Sequence, residues 1–220
     1  GPEPVGLEPP RRRIPANVPG WGAFLSMAFR PFYLLAALYV AVAVLAWGAG
    51  HGGTGGALAG LYWHAHEMIW GYAGAIIVGF LLTAVATWTG QPALRGAPLA
   101  GLVALWLAAR VTANLDAGTL LLPAVASLAF YLAAAVALAM PILKSRNRRN
   151  YAVPMLLVGF ASTNQIFYLA LGGGLAVDPR GLLHAGLLMV AAIIAFVGLR
   201  VIPFFAHRAL GVPQEGHGLW

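Results

Sequence analysis

The chain has 220 residues, of which 60% are hydrophobic and 9% charged, with a mean hydropathy of +0.81 and a formal net charge of +7. Soluble domains carry roughly 25% charged residues, and one of this length has too much surface for its volume to hide so much apolar area. The chain has no cysteine, which excludes disulfides, Cys-ligated zinc, iron–sulfur clusters and thiol nucleophiles, so any metal or cofactor rests on His, Met, Tyr or carboxylate.

Residues 1–20 hold six prolines and the run Arg11-Arg12-Arg13, and read as a disordered cytoplasmic tail. No small-residue cleavage site follows the arginines, so they anchor rather than target. Six apolar runs come next: Phe29–Gly48, Leu61–Trp88, Pro98–Ala113, Thr119–Leu143, Tyr151–Leu171 and Leu182–Phe205. Most reach the ~20 residues that span a hydrocarbon core. The third is short. The second has 28 residues, about 42 Å at helical rise, and must tilt or protrude. The expected architecture is all-α, a polytopic bundle of six transmembrane helices over residues 21–210, with 211–220 as a second cytoplasmic tail.

Lys and Arg set the orientation. Arg11–Arg13 with Arg30, then Arg95, then Lys144, Arg146, Arg148 and Arg149, then Arg208 fall on alternate connections, whereas 49–60, 114–118 and 172–181 contain only Arg180. This asymmetry places both termini in the cytoplasm. Basic residues in short clusters between apolar runs are orientation signals, which argues against a nucleic-acid partner. Trp21, Trp63, Trp70, Tyr72, Trp88 and Tyr151 lie near predicted helix ends, where amphipathic rings favour the headgroup layer.

Depth gives the histidines meaning. His207 and His217 fall on the cytoplasmic side. His51, His64, His66 and His184 all map to the opposite leaflet, and neutral imidazole is a ligand for haem iron, copper and zinc. In the second span His64, Glu67, Met68, Gly71, Ala75 and Gly79 share one stripe, which predicts His64 facing the bundle interior. Its lower half is a small-xxx-small pattern open to a neighbouring helix or a flat ligand. His66 lies about 200° around a regular helix, beside Tyr62, Trp70 and Ala73. One centre takes both imidazoles only if the helix start is irregular, and two separate centres suit the spacing better.

Structural alternatives stand beside each of these readings. A lone histidine at a membrane end is often a hydrogen-bonded interface residue, which applies to His51 and His184. Glu67 is expensive in a bilayer without a partner. Arg110, predicted near the same leaflet, either pairs with it or grips a haem propionate through its bidentate fork. Snorkelling accounts for Arg200, and Asn164 and Gln165 are read as interhelical hydrogen-bonding residues. Gly172–Gly174 is no phosphate loop, since no strand precedes it and no Lys-Ser/Thr follows.

The stretch Trp63-His-Ala-His-Glu-Met-Ile-Trp-Gly-Tyr, continuing through Gly79-Phe-Leu-Leu-Thr-Ala-Val to Trp88-Thr-Gly-Gln-Pro-Ala-Leu-Arg-Gly-Ala-Pro, resembles the NnrS family. So do Phe29-Arg-Pro-Phe, Arg148-Arg-Asn-Tyr and Arg200-Val-Ile-Pro-Phe-Phe, with the blocks in the expected order from residue 29 to 210. The resemblance implies a multi-pass protein of the bacterial inner membrane that contains haem and copper and is linked to nitric oxide metabolism and nitrosative-stress resistance. On the matching motif, His64 and His66 become candidate metal ligands with Glu67 and Met68 beside them. His184 is a candidate opposite ligand for a b-type haem, on depth alone, and Arg110 a cofactor-binding residue. Family members are nearly twice this long and the match is to their amino-terminal half. The expectation is therefore a short member, a missing carboxy-terminal half, or a second membrane subunit that supplies it, with a homo-oligomer also open. Two other classes of function remain: a non-catalytic accessory subunit packed against a respiratory oxidase or reductase, and a transporter for haem, metal or a small solute. No internal repeat or pair of broken helices supports the transporter.

Overall fold

A computed structural model describes residues 20–53, 56–115 and 119–210, without the side chains of 200, 203–205, 207 and 208. The expected tails therefore lie outside the described residues, apart from Gly20, as do His217 and the side chains of Arg200, His207 and Arg208. After a single helical turn, Trp21–Phe24, six long helices follow: α1 (Phe29–Gly48), α2 (Leu61–Thr89), α3 (Ala97–Asn114), α4 (Leu121–Lys144), α5 (Ala152–Leu171) and α6 (Pro179–Leu210). All six contain a stretch long and apolar enough to cross a membrane, and there is no strand among the described residues. The protein is an all-α membrane bundle, as the composition requires.

The boundaries of the first five helices agree with the sequence expectation to within two residues. α1 is as expected, α2 extends by one residue at its end and α3 by one at each end, and α4 and α5 start one or two residues later. Only α6 is clearly longer, running from Pro179 to Leu210. Proline explains several starts. Pro31, Pro98, Pro123, Pro154 and Pro179 all lie in the first turn of their helices. There the missing N–H has no intrahelical acceptor to satisfy and the fixed φ favours helix entry.

The helix without such a proline is the central one. Just over half of α2's most apolar stretch (56%) is buried within the protein, against 11% for α6. It packs along α1 and α4, and its upper part also meets α3 and α6. The remaining neighbours pair in sequence: α3 with α4, α4 with α5, α5 with α6. Gly79 shows why α1 fits so close, since a Cβ there would come within 2.8 Å of Phe32 Cβ. The small-residue stripe expected on this helix therefore admits a neighbour, and at this point that neighbour is α1.

One expectation is corrected here. The second span is not a uniform α-helix. It runs as α-helix from Leu61 to His66, widens into a π-helical stretch over Glu67–Ala73, and returns to α-helix from Gly74. Widened turns bring carbonyls out of regular register and commonly mark functional sites. Two side chains reach those carbonyls: Tyr131 Oη donates to Trp70 O (2.5 Å) and Trp106 Nε1 to Gly71 O (3.0 Å). The irregularity is thus held in place from α4 and α3.

Hydrogen bonds between the connections tie the Arg-rich end of the bundle. At the Arg-rich end Asn147 Nδ2 donates to Trp88 O (2.8 Å), Gly96 N donates to Leu25 O (2.8 Å), and Thr83 Oγ1 accepts from Phe29 N (3.0 Å). The absence of cysteine gives a clean background for testing orientation. With the Arg-rich connections in the cytoplasm, an impermeant maleimide should label Asp178→Cys from the outer face and Arg148→Cys only from the inner face. The reverse pattern in right-side-out and inside-out vesicles would invert the topology.

Candidate functional site

The widened turn of α2 begins at Glu67, which is wholly buried (0% exposed), and so is His66 before it. A carboxylate at this depth must be neutralised or bonded. Three side chains meet it. Arg110 Nη1 of α3 donates to Oε2 at 2.6 Å, the Tyr39 hydroxyl of α1 donates to the same oxygen, and His66 Nδ1 lies 2.8 Å from Oε1. The carboxylate only accepts, so Nδ1 carries the proton of that bond. Gly71 makes room for the ion pair, because a Cβ there would overlap Arg110 Nη1.

The network continues in both directions. Nε2 of His66 sits 3.0 Å from Asn164 Oδ1 on α5, and Asn164 Nδ2 donates to Ser127 Oγ on α4. On the other side Asn114 donates to Arg110 O (2.8 Å) and contacts the Tyr39 hydroxyl (3.4 Å), while Trp63 Nε1 donates to Asn114 Oδ1 (3.1 Å). Around the His66 ring stand Tyr168, Trp70 and Phe167, with centroids at 4.9, 5.3 and 5.7 Å. Trp70 Nε1 in turn donates to Thr163 Oγ1 (3.2 Å).

The two histidines of the motif therefore occupy different environments, and the expectation about them is reversed. His66, placed by regular helical geometry on the less central face, is the buried one, with both ring nitrogens engaged. His64, expected to face the interior, is half-buried. It stacks on Trp47 of α1 (centroids 4.0 Å apart, planes 14°), and its buried Nδ1 has no hydrogen-bond partner. The reason is that helices pack on several sides of α2, and the face that carries His66 is covered by Asn164, Phe167 and Tyr168 of α5.

The other candidates divide in the same way. Glu67 and Arg110 are brought together, the pairing weighed as the structural alternative. Met68 is half-buried. His51 lies edge-on to Trp63 with centroids 5.6 Å apart. His184 is exposed on α6, and among the described residues no hydrogen bond or ring contact joins it to the α2 histidines. Tyr39, Asn114 and Ser127 were not singled out by sequence reasoning. Each is a lone polar group at or inside the boundary of an apolar run, and that was the signal available.

A family profile described as NnrS protein matches residues 23–220. The chain belongs to the NnrS family. No curated protein and no solved structure gives a match. The match takes in all six helices, so the network lies wholly within the portion shared with the NnrS family.

Removing one partner from a buried ion pair leaves the other uncompensated, which costs about 3–5 kcal/mol. Glu67→Gln should lower the unfolding free energy in mixed micelles by about that amount. The double variant Glu67→Gln/Arg110→Met removes both charges and should recover most of the loss. Equal losses in single and double variants would show that the two residues are not coupled.

Proposed function

We propose that the chain is a haem- and/or copper-binding NnrS-type protein of the bacterial inner membrane, acting in nitric oxide metabolism or nitrosative-stress resistance. Family membership supports the nitric oxide connection. For the cofactor, the supporting observation is the contrast between the two imidazoles of the motif.

The donor set favours one kind of site over another. No group of three or more His, Cys, Asp or Glu converges among the described residues, so an ion held wholly by such side chains does not fit them. A group that brings most of its own donors needs only one imidazole, and His64 fits that role. Its ring is oriented by Trp47, its Nδ1 has no partner, and Met68 follows four residues later on the same stripe as a soft second donor. When bound, such a group would supply a redox-active metal able to take nitric oxide as a ligand.

The chain's other residues have supporting parts in this reading. His66 is fixed to Glu67 through Nδ1 and lies with Nε2 against Asn164 Oδ1, where α2 meets α5. Glu67 is committed to Arg110, Tyr39 and His66, and is a support for the ligand helix rather than a ligand. Arg110 gives Nη1 to Glu67 and so is occupied there, not free to receive a propionate through that nitrogen.

A second reading, an accessory subunit of a respiratory enzyme, is favoured by one observation: most of the apolar stretch of α6 is left to lipid or to a protein neighbour.

Spectra and metal analysis of protein produced with haem and copper supplied test the first reading. His64→Ala should lose most of the Soret band or the copper while unfolding near the wild-type temperature. His66→Ala should instead lower that temperature, since it leaves Glu67 and Asn164 short of a partner. A folded His64→Ala protein with its full cofactor content would overturn the assignment.

A further inference from the structure

A cleft of about 860 Å³ opens away from the Arg-rich end of the bundle, between the last turn of α3, the first half of α4, the last half of α5 and the connection at 56–58. Its walls are apolar, with Pro123, Ala124 and Leu128 of α4 among them, and none of the described residues lining it is charged. Leu115, Leu121, Val125 and Leu169 line it and are also exposed on the apolar exterior. The cleft is therefore open sideways to the hydrocarbon, as well as reaching the connections at that end of the bundle.

Two polar groups in this cleft lack partners. Tyr168, only 3% exposed, has a buried hydroxyl with no hydrogen bond, and Gln165 Nε2, three residues earlier on the same face of α5, is likewise buried and unpaired. Unpaired buried polar groups are rare because each forfeits the hydrogen bonds that water would give it. Lipid tails offer none. Both groups can donate, so they complement an acceptor oxygen. With no cation in the described lining, that oxygen belongs to a neutral molecule rather than to a carboxylate or phosphate.

The geometry points to a binding site for a neutral, bilayer-soluble molecule carrying carbonyl oxygen on an apolar body, with a quinone as the occupant. Tyr168 and Gln165 donate to its carbonyl oxygen, and the apolar wall of α4 holds the ring and tail. A phospholipid ester offers the same acceptor but brings a phosphate that nothing in the described lining grips. The site shares no residue with the cofactor reading above. It meets the polar network at Tyr168, whose ring stands 4.9 Å from that of His66 and whose hydroxyl feels the charges of Arg110 and Glu67.

Decylubiquinone titrated calorimetrically into the full chain in dodecyl maltoside tests this. Wild type should bind one quinone and unfold at a higher temperature with it. Tyr168→Phe and Gln165→Leu should each weaken binding by about 2- to 10-fold, the worth of one hydrogen bond. Without quinone, Tyr168→Phe should unfold at or above the wild-type temperature, because it deletes an unpaired hydroxyl and keeps the ring on His66. A variant that merely damaged the fold would unfold earlier. Absence of quinone binding, or binding equal in wild type and both variants, overturns the site. Displacement of the quinone by dioleoyl phosphatidylcholine that depends on the Tyr168 hydroxyl overturns the quinone and gives the site to a lipid ester.

Discussion

A single carboxylate inside the bilayer organises this bundle. Glu67 has no water to turn to, and its charge is answered by the Arg110 guanidinium, the Tyr39 hydroxyl and the His66 imidazole. Those partners come from α3, α1 and α2, and His66 extends the chain of bonds to Asn164 of α5 and Ser127 of α4. Five of the six helices are thereby referred to one point. The sixth joins through apolar packing against α5 and the widened turn of α2.

Such a network specifies more than it stabilises. Interhelical hydrogen bonds in membranes average about 0.6 kcal/mol, because unassembled helices also find polar partners. Dispersion between closely packed helices supplies the bulk of the cohesion, and small residues such as Gly79 let it act. Acceptor-rich and donor-rich groups placed at one depth decide which helices meet and in what rotation. Misrotating α3 would strand Arg110 and Glu67, and misrotating α5 would part Asn164 from His66. Stranding the ion pair is a far larger penalty than any single bond is worth.

The six spans were legible because they depend on an additive property, apolar length. Glu67 and Arg110 were legible as a pair because both are expensive at their depth and each is the other's simplest remedy. What could not be read was the rotation of His64 and His66. Helical periodicity assumes a regular turn and a single buried face, whereas α2 is widened just after His66 and enclosed on several sides. Tyr39, Asn114 and Ser127 escaped for a related reason. A hydroxyl or amide in an apolar run has many possible partners, and only the packing of α1, α3 and α4 against α2 selects them. The cleft beside Tyr168 arises from three helix ends and has no local sequence signature.

The widened turn of α2 also ties together residues that lie far apart in the chain. Relative to a regular helix, the stretch from Glu67 to Ala73 accommodates an extra residue, and losing it would swing everything beyond by about 100°. The groove that receives α1 at Gly79 would then turn away from the face that carries Glu67. The indole of Trp106 and the phenol of Tyr131, which now fill the displaced carbonyls, would be left facing a closed backbone. The extra residue, the indole and the phenol, on three helices, therefore depend on one another, and removing any one alone leaves the other two poorly packed.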